Sequence, residues 1–137
     1  MSSCIQSVNH SQIKCEEKQS KFILLNPERK NVDYIVVDGC LYPRGHHDLC
    51  CDYVLNFDDK TVFVELKGSD IAHAIKQILA TKQDAKFTIN PDKTAVVVSS
   101  KTPKDDQSLR LQKIHLKKQG ITLLQGNSPL SKRLSEL

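Results

Sequence analysis

Asp52, Glu65 and Lys67 are the residues whose types and spacing could do chemistry. They lie in the stretch CDYVLNFDDKTVFVELK, residues 51–67. Tyr53, Leu55 and Phe57 alternate with Asp52, Val54 and Asn56, and Val62, Val64 and Leu66 alternate with Phe63, Glu65 and Lys67. Two period-two runs across the polar turn Asp58-Asp59 predict a half-buried β-hairpin. If Asp58 and Asp59 are the loop residues, Phe57 pairs with Lys60, and counting back sets Asp52 directly opposite Glu65. Opposed residues have Cβ atoms about 4.5–5.5 Å apart. Carboxylates that close repel unless a cation sits between them. A hard divalent ion such as magnesium uses such oxygens. Lys67, further along the same face, could position or activate a water. These groups together suit metal-assisted hydrolysis of a phosphodiester.

The surrounding elements must hold that hairpin. Residues 21–25 (KFILL) and 32–37 (VDYIVV) read as strands. Asp38-Gly39 is a hairpin signal, because glycine supplies the positive φ of a primed turn, and residues 40–42 would return from it. After Lys67, Gly68 ends the strand and Ser69 is a good N-cap, with Asp70 at the positive helix end. Ile71, Ala74, Ile75, Ile78 and Leu79 then form the apolar stripe of a helix packed on a sheet, with His73, Gln77 and Thr81 on its flank. The N-terminus of that helix would lie near Glu65 and Lys67, where backbone amides can meet a phosphate. Phe87 and Ile89 suggest a brief edge strand. The run TAVVVSS, 94–100, predicts a strand buried on both faces in a parallel position. A helix beginning at Asp105 or Asp106 follows, with Leu109, Leu111, Ile114 and Leu116 apolar and Arg110, Lys113, Lys117 and Lys118 cationic. Gly120 reads as its αL cap, and residues 121–124 as a last strand. Residues 1–20 are polar and are expected to fray or form a short helix, with Glu16 and Glu17 as a solvated pair. The tail, 126–137, is expected to be loose or a short helix.

Composition narrows the classes. With 137 residues, 39% of them apolar, the chain suits one domain with its own core. No window approaches the ~20 apolar residues of a membrane span. The N-terminus MSSCIQSVNHSQ lacks the basic and apolar regions of a secretory signal, so the expected location is cytoplasmic. Five cysteines without a CxxC argue against a disulfide framework. The net charge of +4 permits a nucleic-acid partner without requiring one. His46-His47-Asp48 before Cys50-Cys51 contains zinc-ligand types, but the spacing lacks the two separated ligand pairs of structural zinc sites. The plainer reading is a polar loop followed by a buried cysteine.

The order strand, hairpin, helix, buried strand, helix, strand, with Asp52 on one hairpin arm and Glu65-Leu66-Lys67 ending the other, resembles the PD-(D/E)XK, or restriction-endonuclease-like, nuclease superfamily. The likeness covers roughly residues 32–125. Cys51 stands where the name-giving proline would be, a proline that many members lack. Gln77 is similar to a glutamine of exonuclease-like branches, which carry a tyrosine four residues later where this chain has Thr81. The resemblance implies a single-domain α/β fold, a central mixed β-sheet flanked by helices. That domain would span 21–125, between a polar N-terminal segment, 1–20, and a polar tail, 126–137. It implies that Asp52, Glu65 and the Leu66 carbonyl hold one or two Mg2+ ions, with Mn2+ as a substitute, and that Lys67 positions the attacking water. Gln77, Lys101 and Lys104 would contact a nucleic acid, DNA rather than RNA. A homodimer or a larger complex would be needed to cut a particular site. The alternative is a catalytically inactive module of the same fold that binds nucleic acid or a protein within a defence or repair assembly.

Overall fold

Period-two patterning produces most of the structure. The computed structural model of the chain describes residues 3–18, 20–66, 70–99 and 106–137. The elements are β1 (Ile5–Val8), β2 (Gln12–Glu17), β3 (Ser20–Leu25), β4 (Val32–Val36), β5 (Tyr53–Phe57), β6 (Lys60–Leu66), α1 (Ile71–Gln83), β7 (Asp92–Ser99), α2 (Asp106–Lys117), β8 (Ile121–Asn127) and β9 (Leu130–Arg133), then a 3-10 turn over Leu134–Glu136. A six-stranded sheet has the order β1-β4-β5-β6-β7-β8, and a three-stranded sheet the order β2-β3-β9. The large sheet is mixed. Its β1, β4, β5 and β6 are antiparallel neighbours, while β6, β7 and β8 run parallel.

Two cores lie on the two faces of the large sheet. Val54, Phe63, Ala95 and Val97 face the helices and pack with Ile71, Ala74, Ile75 and Ile78 of α1 and Leu116 of α2. Leu55, Val62, Val64, Leu66, Val96 and Val98 face the small sheet and pack with Ile13, Cys15, Phe22 and Leu24. The helices therefore cover one face only, and the small sheet covers the other. Every residue from Thr61 to Leu66 is buried, so the hairpin is buried on both faces where half-burial was expected. The cause is the N-terminal segment. Instead of fraying or forming a helix, it supplies β1 to the large sheet and β2 to the small one. Ile13 and Cys15 are buried between exposed Gln12, Lys14 and Glu16, the alternation of a strand with one covered face. The C-terminal tail likewise adds β9, parallel to β3, before ending in its 3-10 turn. Among the described residues no helix is long and apolar enough to cross a membrane.

Both helices differ in detail from expectation. The N-cap of α1 is Asp70, whose Oδ1 accepts the His73 N–H at 3.1 Å; Ser69 lies outside the described residues. Thr81 is fully buried on what reads as a flank. Burying Ile71, Ile75 and Ile78 contributes roughly 1.5–3 kcal/mol each. Among the described residues of α2 Leu116 alone is buried, while Leu111 and Ile114 are 57% and 50% exposed. Leu109 and Leu116 are seven residues apart and share a face; Leu111 and Ile114, three apart, share a different one. Gly120 takes the left-handed φ of +75° after α2, as expected. Phe87 and Ile89 pack on the helix-side core without forming a strand. Residues 40–42 also form no strand: β4 pairs with β1 and β5 instead, leaving them as a turn. Cys4 is disulfide-bonded to Cys40, with Cα atoms 5.6 Å apart, against the expectation of no disulfide. The pairing arises because β1 lies beside β4: Val36 N–H donates to Cys4 O at 2.9 Å, which brings residue 4 to the turn after β4.

Candidate functional site

The hairpin has the expected register along its length, from Phe57↔Lys60 to Tyr53↔Val64. Asp58 takes a positive φ of +52° in the tight turn. Simple continuation would set Asp52 against Glu65. At this point the ladder bulges, because Asp52 N–H donates to Val64 O at 3.1 Å, the residue already facing Tyr53. Asp52 Oδ2 accepts the Leu66 N–H at 2.8 Å. The Asp52 and Glu65 carboxyls still lie close enough that Asp52 raises the pKa of Glu65. They are 7% and 6% exposed, so the expected pair is formed and is withdrawn from water.

Two further carboxyls join them. Glu17 comes from the end of β2, and Asp38 from the turn after β4, next to Gly39 at φ +88°. Tyr34 OH and Tyr53 OH donate to the carbonyls of Lys14 and Glu16 at 2.9 and 2.8 Å, which fastens β2 over the large sheet and fixes Glu17 there. Both central carboxyls are pushed up from the usual carboxylate range. Burial is the largest cause for each. For Asp52 the Leu66 amide opposes the shift and Glu17 adds to it; for Glu65 the neighbouring Asp52 charge adds most after burial.

This arrangement fits a hard divalent cation. Glu65 Oε1 is buried with no hydrogen-bond partner among the described residues. Leaving a buried acceptor so costs about 1–3 kcal/mol, and more when it is charged. Among the described residues no lysine or arginine forms an ion pair with Asp52 or Glu65. All four groups offer oxygen, the donor that magnesium takes. Asp52, Glu17 and Asp38 line an open cleft of about 520 Å³, with Lys18 and Arg44 as its cationic groups among the described residues. A second depression, of about 440 Å³, lies at the opposite, turn end of the hairpin; its carboxylates Glu28, Asp58, Asp59 and Asp92 are exposed, and Asp58 and Asp92 are paired with Lys30 and Lys60.

Helix α1 holds the approach to Asp52. Thr81 Oγ1 accepts the Cys51 N–H at 2.7 Å and donates to Gln77 O at 2.9 Å. Gln77 Nε2 donates to Cys50 O at 3.1 Å. Gln77, expected as a substrate contact, is thus engaged in fixing the strand that leads into Asp52. Leu66 is the last residue of β6, tied to Asp52 through its N–H. Lys67, Lys101 and Lys104 lie outside the described residues.

Sequence reasoning took Glu17 for one of a solvated pair that could reach the site only from a helix, where it lies at the end of a strand, and gave Asp38, Thr81 and Arg44 no part in the site. The Ile13/Cys15 alternation was the signal for Glu17, since it marks a strand with a buried face. Asp38 carried a signal only for a turn. No protein-family model, curated protein or solved structure matches this chain.

Proposed function

We propose that the chain is a metal-dependent nuclease of the restriction-endonuclease-like type that hydrolyses phosphodiester bonds in nucleic acid, DNA in preference to RNA. The observation that carries this reading is the buried Asp52–Glu65 pair with an unpartnered Glu65 oxygen beside an open cleft. Further support comes from the element order and from the E-x-K spacing of Glu65, Leu66 and Lys67.

In this reading Asp52 and Glu65 hold Mg2+ or Mn2+, with the Leu66 carbonyl as a further donor. When bound, the ion supplies a water of lowered pKa and offsets charge growing on the phosphate. Glu17 and Asp38 deepen the negative field that draws the cation. Leu66 N–H orients one Asp52 oxygen so that the other is free to ligate. Gln77 and Thr81 fix the 50–51 peptide against α1 and so limit movement of Asp52. Lys67 positions the attacking water, and Arg44 and Lys18 meet the phosphate backbone at the cleft. One observation favours the second reading, a catalytically silent module that docks a protein partner: Leu111 and Ile114 are exposed on α2 beside Arg110 and Lys113.

The test is cleavage of a mixed DNA and RNA panel with Mg2+ or Mn2+, comparing the parent with Glu65→Gln and Lys67→Ala. Metal-dependent cleavage lost in both variants, with the fold intact, is the expected result. No cleavage and no calorimetric Mg2+ binding by the parent would remove the enzymatic reading and leave the docking module.

A further inference from the structure

A second group of ligand-type side chains lies in the connection between β4 and β5, residues 37–52. Connections longer than about 12–15 residues without regular structure are uncommon in small domains and tend to be functional. This one is nonetheless pinned at several points. Tyr42 N donates to Val37 O at 2.9 Å, Tyr42 OH donates to Asp84 Oδ2 at 2.7 Å, and Cys40 is bonded to Cys4. The Tyr42 and His46 rings pack with centroids 5.4 Å apart. As a result Asp38, His46 and Cys50 present an oxygen, a nitrogen and a sulfur all within 4.8 Å of one another. His46 Nε2 is 2.8 Å from Asp38 Oδ1 and 3.8 Å from Cys50 Sγ. Acid and thiol therefore meet the same ring nitrogen. A nucleophilic relay needs them on opposite nitrogens, so this is a poor Cys-His-Asp triad.

We propose that Asp38, His46 and Cys50 bind one transition-metal ion of the zinc class, fastening the β4–β5 connection at the mouth of the carboxylate cleft. Sulfur and imidazole donors select zinc or cobalt over magnesium and calcium, which take oxygen. Tetrahedral bonds of about 2.0–2.3 Å set neighbouring donors roughly 3.3–3.7 Å apart. Cys50 and His46 already stand near that spacing, and Asp38 and His46 must open by about half an ångström. Three protein ligands leave a fourth position for water. The protons balance as follows. Nδ1 accepts the Asp48 N–H at 3.1 Å, so the ring proton sits on Nε2 and is donated to Asp38. Zinc takes the Nε2 lone pair, and that proton moves to Nδ1. The Asp48 amide turns away, and the Cys50 thiol proton passes to solvent. Asp48 is exposed, which leaves room for the change. The proposal does not depend on nuclease activity; Asp38 alone is common to both groups.

Cobalt(II) is the probe, added to chelator-treated protein kept unreduced so that Cys4 and Cys40 stay paired. The expected result is saturation at one equivalent, sulfur-to-cobalt charge-transfer absorption in the near ultraviolet, and displacement by one equivalent of Zn2+ but not by Mg2+. Cys50→Ser should lose the charge-transfer band, His46→Ala should lose tight binding, and His47→Ala should keep both. Cobalt binding without that band, or a band that survives Cys50→Ser, overturns the site. Should Cys50→Ser fail to fold, His46→Ala and Asp38→Asn decide, since unchanged cobalt affinity in either removes the ligand set.

Discussion

One hairpin carries two buried polar pairs with opposite character. Near the turn, Asn56 faces Thr61, and at the open end Asp52 meets Glu65. Thr61 and Glu65 lie four residues apart on β6, so they point to the same side. The turn-end pair is fully engaged. Thr61 Oγ1 donates to Asn56 Oδ1 and accepts the Asn90 N–H at 2.7 Å, while Asn56 Nδ2 donates to Thr88 O at 2.8 Å. The open-end pair is equally buried but holds two carboxyls and an oxygen without a partner. A satisfied network rigidifies a core, whereas a partly satisfied one is a standing cost. The first pair therefore serves the fold, and in the proposed function the second is kept for what it can bind.

The largest effect should come from Glu65→Gln. In the proposed nuclease, loss of this metal ligand should lower Mg2+-dependent cleavage by about 10³-fold or more. Thermal stability in the absence of metal should hold or rise, because a neutral amide replaces a carboxyl whose ionised form burial and Asp52 disfavour. A large drop in Tm would mean that Glu65 is structural after all. Thr61→Val is the mirror experiment. It leaves the Asn90 N–H unpaired and should cost about 1–3 kcal/mol of unfolding free energy by denaturant melt, with cleavage per folded molecule unchanged.

A smaller effect should appear in pH dependence. The folded-state pKa values of Asp52 and Glu65 are raised, first of all by burial. A raised group contributes stability that is fully present below its unfolded pKa and is lost as pH rises through the folded one. The metal-free protein should therefore lose stability as pH rises from the ordinary carboxylate value of about 4 through neutrality. Mg2+ or Glu65→Gln should flatten that slope; a slope unchanged by either would separate the pair from the titration. The smallest expected effect belongs to Arg44→Ala at the cleft. As a surface cation worth about 0.2–1 kcal/mol, it should raise KM by no more than about five-fold, and less at high salt.

The chemistry-bearing hairpin was legible because its signals are local. Alternation from Tyr53 to Leu66, the Asp58-Asp59 turn and the stripe from Ile71 to Ile78 all follow from period and turn chemistry. The valine run reads as a central strand, and β7 lies between β6 and β8 with both faces buried. Short strands at the ends of the chain were harder to read. Ser20–Leu25 was visible as an apolar run, but β9 spans only Leu130–Arg133 and is half exposed, so its pattern carries little. Without β9 and β2 the small sheet cannot be inferred, and without that sheet neither can the burial of the hairpin's second face.

The sequence by itself determined that β5 pairs with β6 and that Asp52 and Glu65 come to the same end of that hairpin, since hairpin register depends on residues close in the chain. Tertiary structure alone decided that Glu17 reaches Asp52, that Asp38, His46 and Cys50 converge, and that Cys4 bonds Cys40. Each of those meetings joins segments brought together by strand order. In strand order β1 lies beside β4, and β2 lies over the sheet through Tyr34 and Tyr53. The physical reason is that such order is set by burying both faces of one sheet at once, a condition on the whole chain that no local window of residues contains.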